Sequence, residues 1–293
     1  RRTDDPVREG HVLSQLAVVE QQVGQEEEAL RDALKAAELL DGRDLRLHGV
    51  ALANLGLIHR LHGQLDLARS ALRRAMATLE TAGDAADTAI ALGTLANVLR
   101  DEGSYAESEK MLRQSLGLHR RVGNRRSECV SLGNLGALLL RLERYPEAET
   151  ALRTALELAE ELGFTNAEAI LLGRLGDTLR RLERFEEASA ALQRSRQLLG
   201  ELGDTLGAVE SLVALASLHR DRGQHEEARA AYLEAWEHLE ESGPIHQQVV
   251  VAIELARLPR KGRRDRELQR LMKVRRAVEQ RGDPVDTGAL LVE

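Results

Sequence analysis

Four arginines, Arg60, Arg100, Arg180 and Arg220, fall on one forty-residue comb, with Leu140 in the place between the second and third. Arg141 and Arg181 stand one residue further along in two of the units. A second polar set keeps the same spacing: Asn54, Thr94, Asn134 and Arg174 at one place, Asn97, Ala137, Asp177 and Ser217 at another. Residues of these types recognise rather than react. A guanidinium can hold a carboxylate through two parallel hydrogen bonds. An asparagine both donates and accepts, which matches the N–H and C=O of an extended peptide backbone.

Reaction chemistry finds little footing beside this. Gly133-Asn134-Leu135-Gly136 has glycine spacing but lies inside a helical pattern and lacks the lysine of a phosphate loop. His59 and His62 have helical metal-ligand spacing without an evident third ligand. His59 and His219 take an apolar-face position that is leucine in the third to fifth units, which is a packing place. The lone cysteine, Cys129, begins a helix beside apolar residues and reads as a buried, inert thiol. The chain is therefore expected to be no enzyme and to need no cofactor or metal.

The elements that position the ladder are legible from two combs. Leu16-Ala17, Leu55-Gly56, Leu95-Ala96, Leu135-Gly136, Leu175-Gly176 and Leu215-Ala216 form one. Ala29, Ala68, Ser108, Ala148, Ala188 and Ala228 form the other. A fixed period of this length marks a stacked repeat array. Within one unit, Leu132, Leu135, Gly136 and Leu139 line one helical face, and Ala148, Leu152, Ala155 and Leu156 line another. Pro146 suits the first turn of the second helix, and Gly163 its left-handed end. Gly83, Gly123, Gly203 and Gly243 are the matching terminators. The small comb residues let the two helices of a unit approach closely.

These residues resemble the tetratricopeptide repeat (TPR). Its pattern has Leu-Gly in the first helix, an aromatic after the turn, then Ala, a large apolar residue and a small one. Here the fifth unit reads Leu175-Gly176, Phe185, Ala188, Leu192, Ser195. The forty-residue length is similar to the Pins/LGN-type adaptors and to bacterial signalling arrays. The chain departs from the family where Leu52, Leu92, Leu132, Leu172 and Leu212 replace its early tryptophan, and its proline near the repeat end is missing. The resemblance implies an all-α, right-handed solenoid of about six helix–turn–helix repeats. The array spans 1–243, its first repeat irregular. A seventh half-repeat and a basic capping helix follow over 244–281, and a tail over 282–293.

Composition agrees with an interaction protein. Apolar residues make up 43% of the chain and aromatics 2%, so leucine and alanine carry the packing. No apolar run is long enough to span a membrane. With one cysteine there is no intrachain disulfide, which suits a cytoplasmic setting. Arginine outnumbers lysine 37 to 4, pointing to a GC-rich bacterial genome, and the absence of an initiator Met suggests neighbouring domains in a longer chain. The net charge of −7 divides unevenly: residues 256–281 hold eleven Lys/Arg against three Asp/Glu.

The resemblance also implies that first helices face the groove. With the small comb residue as position 8, the groove residues are Asn54, Arg60, Asn97, Arg100, Asn134, Arg141, Arg174, Asp177, Arg180, Arg181 and Arg220. Small residues Ala53, Gly93, Gly133 and Gly173 clear a channel beside them. The expected function is a non-enzymatic scaffold that grips an extended, acidic peptide or partner segment. Two alternatives stand beside it. One is a peptide-sensing arm of a regulator that compacts on binding. The other is a nucleic-acid-associated regulator using the basic segment 260–276, disfavoured by the lack of interleaved aromatics. A plainer reading of the ladder also stands. An arginine in a last helical turn offsets the macrodipole and can pair nearby, as Arg141 with Glu143 or Arg180 with Glu183.

Overall fold

A computed structural model describes residues 5–240 and 243–259, together with Gln269 and Lys273. Thirteen helices and no strands occur among the described residues. They run α1 (Pro6–Gln22), α2 (Glu26–Leu40), α3 (Leu45–Leu61), α4 (Leu65–Ala82), α5 (Ala85–Asp101), α6 (Tyr105–Val122) and α7 (Arg125–Arg141). Then come α8 (Tyr145–Glu161), α9 (Thr165–Arg181), α10 (Phe185–Glu201), α11 (Thr205–Asp221), α12 (His225–Leu239) and α13 (Ile245–Arg257). Odd-numbered helices are the first, and even-numbered helices the second, of each hairpin. The chain divides between Leu158 and Ala159 into two compact units.

Four first helices start on a side-chain cap at the same place in the repeat, whereas α9 starts on Phe164 without one. Asp44, Asp84 and Asn124 in the first unit, and Asp204 in the second, each accept the N–H three residues on, at 2.8–3.2 Å. That satisfies one of the four donors a helix start leaves open. Hairpins then close on the small comb. A Cβ at Gly136 would stand 2.5 Å from Leu152 Cγ, and one at Gly176 2.5 Å from Leu192 Cγ, so bare backbone is what lets these leucines seat. The facing Ala68, Ala148 and Ala188 are fully buried.

Second helices end on left-handed Gly83, Gly123, Gly163 and Gly203. The expected terminator Gly243 differs. α12 stops at Leu239, and Gly243 donates its N–H back to the Leu239 carbonyl at 2.9 Å without entering the left-handed region. The turn inside each hairpin also needs a left-handed residue, supplied by Gly24, Gly63, Gly103 and Gly223. In the fourth and fifth repeats glutamates occupy it, Glu143 at φ 58° and Glu183 at φ 59°. A side chain there costs about 1–2 kcal/mol. Glu143→Gly and Glu183→Gly are each expected to stabilise their unit by about 1 kcal/mol, read as a higher urea midpoint by far-UV circular dichroism. An unchanged midpoint would count against the strain.

Stacking between repeats is plain within the first unit. Ile58, Val98 and Leu138 are fully buried at one position of α3, α5 and α7. Its counterpart in α1, Val19, is exposed together with Val12 and Leu16 on the same helix face. α13 follows Pro244 in the second unit and packs Val249, Val251, Ala252 and Leu255 into a cluster with Tyr232 and Trp236. The proposed capping helix, the basic segment 260–276 and the tail lie outside the described residues, apart from Gln269 and Lys273. Lys273 Nζ meets Glu240 Oε1 at 2.9 Å. No described helix is long and apolar enough to cross a membrane.

Candidate functional site

The ladder arginines are not alike. Those at position 12 are held by carboxylates, several of them one repeat away. In the first unit Arg60 Nη1 reaches Asp101 Oδ2 at 2.9 Å, and Arg100 forks onto Asp101 Oδ1 at 2.9 and 3.2 Å. In the second unit Arg180 binds Asp177 at 2.6 and 3.0 Å and also Asp221. Arg220 binds Asp221 at 2.9 and 3.1 Å and also Glu254. Arg180 is only 7% exposed. Burial works against its charge, but Asp177 and Asp221 more than offset that and leave its pKa above the usual value. Its partners are therefore Asp177 and Asp221, not the nearby Glu183.

The position 13 arginines behave differently. Arg141 is exposed, donates Nε–H to the Tyr105 hydroxyl at 2.8 Å and lies 5.5 Å over that ring, with no carboxylate partner among the described residues. Arg181 is exposed with no partner among the described residues. Arg174 is half-buried on α9.

The asparagines also separate. Asn54 is committed to packing, its Nδ2 donating to the Ser14 carbonyl at 3.2 Å and meeting Ser14 Oγ at 3.0 Å. Asn97 accepts from Arg100 at 3.3 Å through Oδ1, leaving its Nδ2 protons open. Asn134 has no side-chain partner among the described residues. Asn97 and Asn134 share a cleft of about 210 Å³ between α5 and α7. Ala89, Ile90, Gly93 and Thr94 complete one wall, Ser127, Val130 and Ser131 the other. Ser115 and His119 of α6 form its floor. Gly93 opens the way down: a Cβ there would stand 3.4 Å from Ser115 Oγ. Ser115 donates to the Ala89 carbonyl at 2.7 Å, so the 3.3 Å contact with Ser131 runs from Ser131 to Ser115.

His119 is the residue the repeat pattern does not explain. Its place is Leu40, Leu79, Ala159, Leu199 and Leu239 in the other repeats, all buried. His119 is 2% exposed and its Nδ1 is buried without a hydrogen-bond partner. Burial lowers its pKa below the ordinary 6.5, with nearby Glu128 pulling the other way. The folded chain thus binds this proton less readily than the unfolded chain. That contribution to stability is full above about pH 6.5 and erodes as pH falls. His119→Leu is expected to stabilise the first unit by about 1–2 kcal/mol at neutral pH, and by more at pH 5. Urea titrations at the two pH values check this, and a variant less stable than wild type at both would contradict it.

The remaining candidates for chemistry are tied into the fold. His59 Nδ1 meets Gln64 Oε1 at 2.6 Å, His219 Nδ1 meets Gln224 Oε1 at 2.9 Å, and His62 Nε2 meets Gln21 Oε1 at 3.0 Å. Cys129 is buried, its thiol donates to the Ala155 carbonyl at 3.3 Å, and burial pushes its pKa up. No group of three or more His, Cys, Asp or Glu with metal-binding placement occurs among the described residues.

Residues 87–161 and 167–241, just over half of the chain, match the tetratricopeptide repeat model. The chain belongs to the tetratricopeptide repeat family. The two matched segments begin eighty residues apart, the spacing that also separates Ser115 from Ser195 and Ser131 from Ser211. Among solved structures, the TPR chain is similar to the apo form of RapI, with a TM-score of 0.71 at 16% identity, covering 93% of this chain and 99% of that one. It is similar to a Rap protein complexed with Competence and Sporulation Factor, with a TM-score of 0.65 at 16% identity, covering 94% and 86%. It is also similar to a Signal Transduction ATPase with Numerous Domains carrying a tetratricopeptide repeat sensor, from Pyrococcus horikoshii, with a TM-score of 0.68 at 17% identity. There the match covers 89% of this TPR chain and 40% of the other. These likenesses establish the fold. No curated protein matches the TPR chain in sequence.

Proposed function

We propose that the chain is a non-enzymatic interaction scaffold whose first helices take an extended segment of a protein partner. The observation that carries this reading is the α5–α7 cleft, where Asn97 and Asn134 keep unused hydrogen-bonding capacity on the first helices. An extended backbone presents one donor and one acceptor per residue, which such groups match. The acidic character of the partner rests on Arg141 and Arg181. The position 12 arginines already hold Asp101, Asp177, Asp221 and Glu254, and act as ties between repeats. The resemblance to Pins/LGN-type adaptors supports the same placement of the partner.

A sensing arm within a larger regulator is a second reading. It is favoured by the likeness to the ATPase with a tetratricopeptide repeat sensor and to the Rap protein solved with Competence and Sporulation Factor. In both readings the ligand lies on the first helices.

Selection from a displayed library of random peptides tests the proposal. Peptides retained by the chain are expected to carry Asp or Glu and to lose about fivefold in affinity to Arg141→Glu, with binding that weakens as salt rises. Retained peptides without acidic residues, indifferent to Arg141→Glu, would overturn the acidic reading. Failure to retain any peptide would overturn the scaffold reading.

A further inference from the structure

We propose that the cleft floored by His119 receives a carboxamide side chain, asparagine or glutamine, from the bound segment. The inference rests on the reading that an extended peptide lies along the first helices. It names one residue class that this peptide must present.

The column of equivalent residues supplies the first argument. Leucine or alanine fills this place in every other repeat, so packing alone asks for an apolar side chain. An imidazole there leaves Nδ1 buried and unpaired, an arrangement that folded proteins rarely keep without a use. Eighty residues on, the second unit builds the same serine pair. Ser195 donates to the Ala169 carbonyl at 2.7 Å and meets Ser211 at 2.9 Å, yet buried Leu199 stands where His119 would be. The serines are therefore shared architecture, and the histidine is particular to this cleft.

Size and polarity define what enters. About 210 Å³ is below the roughly 300 Å³ at which small-molecule pockets begin. It suits one side chain. The rim is apolar, with Ile90 46% and Val130 48% exposed, ready to cover a methylene stem. Below the rim, Thr94, Asn97, Ser127 and Asn134 are neutral donors and acceptors, and no lining residue is an acid, lysine or arginine. Glu128, the carboxylate beside His119, is engaged by Arg120 at 2.7 Å. A charged side chain entering here would leave water without a countercharge. A carboxamide carries both N–H and C=O, so it complements a neutral imidazole in either tautomer and can pair with Asn134 as well.

Two measurements on the full chain decide the matter. In the first, nitrogen-edited NMR follows the His119 ring as propionamide, propionate or propylammonium is added. Propionamide alone is expected to move the ring resonances saturably, and Asn134→Ala to weaken the response severalfold. No response to propionamide, or an equal response to propionate, would overturn the proposal. In the second, the displayed peptide library is selected against wild type and His119→Leu, which installs the residue found at this place in four of the other repeats. Wild type is expected to enrich Asn or Gln at one place, and the variant to lose that enrichment. An unchanged carboxamide preference in the variant would overturn the cleft assignment while leaving the scaffold reading intact. Peptides retained by neither protein would overturn the scaffold reading, with the propionamide titration still deciding the cleft.

Discussion

Arg180→Ala lowers the stability of the second unit by about 2–3 kcal/mol, whereas Arg181→Ala, one residue away, changes it by no more than about 0.5 kcal/mol. The contrast follows from burial. Arg180 is almost enclosed, and its removal leaves Asp177 and Asp221 facing each other's charge without their shared cation. Breaking a buried pair from one side costs about 3–5 kcal/mol. The aspartates keep 32% and 29% of their side-chain surface in water, which moderates the loss. The effect also depends on pH. Burial raises the Asp221 pKa, but Arg220 and Arg180 lower it further, to below the ordinary 3.8. This stabilisation is full above about pH 3.8 and disappears as pH falls through the folded value. Wild type should therefore lose more stability on acidification than Arg180→Ala. Equal stability of the two proteins at neutral pH would show that the position 12 arginines are not ties.

Trp236→Ala has the larger effect, a loss of about 3–5 kcal/mol. Trp236 is 1% exposed in a cluster with Val209, Leu212, Tyr232, Val249 and Leu255. The cluster joins α12 to both α11 and α13, and alanine would leave a cavity in it. Repeat arrays unfold unit by unit when one interface weakens. The loss should therefore appear as faster hydrogen exchange in α11, α12 and α13, with α3 to α6 unchanged. Uniformly faster exchange along the chain would mean that the two units unfold as one.

Much of this was legible because packing repeats faithfully. The Leu-Gly and Ala combs placed the hairpins, since each repeat must bring its helices equally close. Glycine terminators were readable for the same reason until Gly243, where the chain turns from α12 into α13 by another route. The groove was only half legible. Asp101 and Asp221 carry no sequence mark of their role, because one repeat viewed alone does not show what stands one repeat away. Arg60 meets Asp101, and Arg180 meets Asp221, across forty-one residues. Type and spacing alone make Asn54 a ligand contact, and only the stacking of α1 beside α3 ties it to Ser14. His119 had a signal that types within the first helix could not give. It is the only polar member of a second-helix column otherwise made of leucine and alanine.

Neighbouring polar residues of the first helices do different work. Paired arginines hold repeats together, while Arg141, Asn97 and Asn134 form the proposed binding face above His119. The most direct test compares peptide affinity in two folded variants. Peptides selected on wild type should lose at least about tenfold in affinity to Asn97→Ala/Asn134→Ala, the equivalent of about 1.4 kcal/mol. They should bind unchanged to Arg113→Ala, which alters the outer side of α6 where Arg113 pairs with Glu109. Equal affinity for wild type and the double variant would place the ligand elsewhere and contradict a binding face built from the first helices.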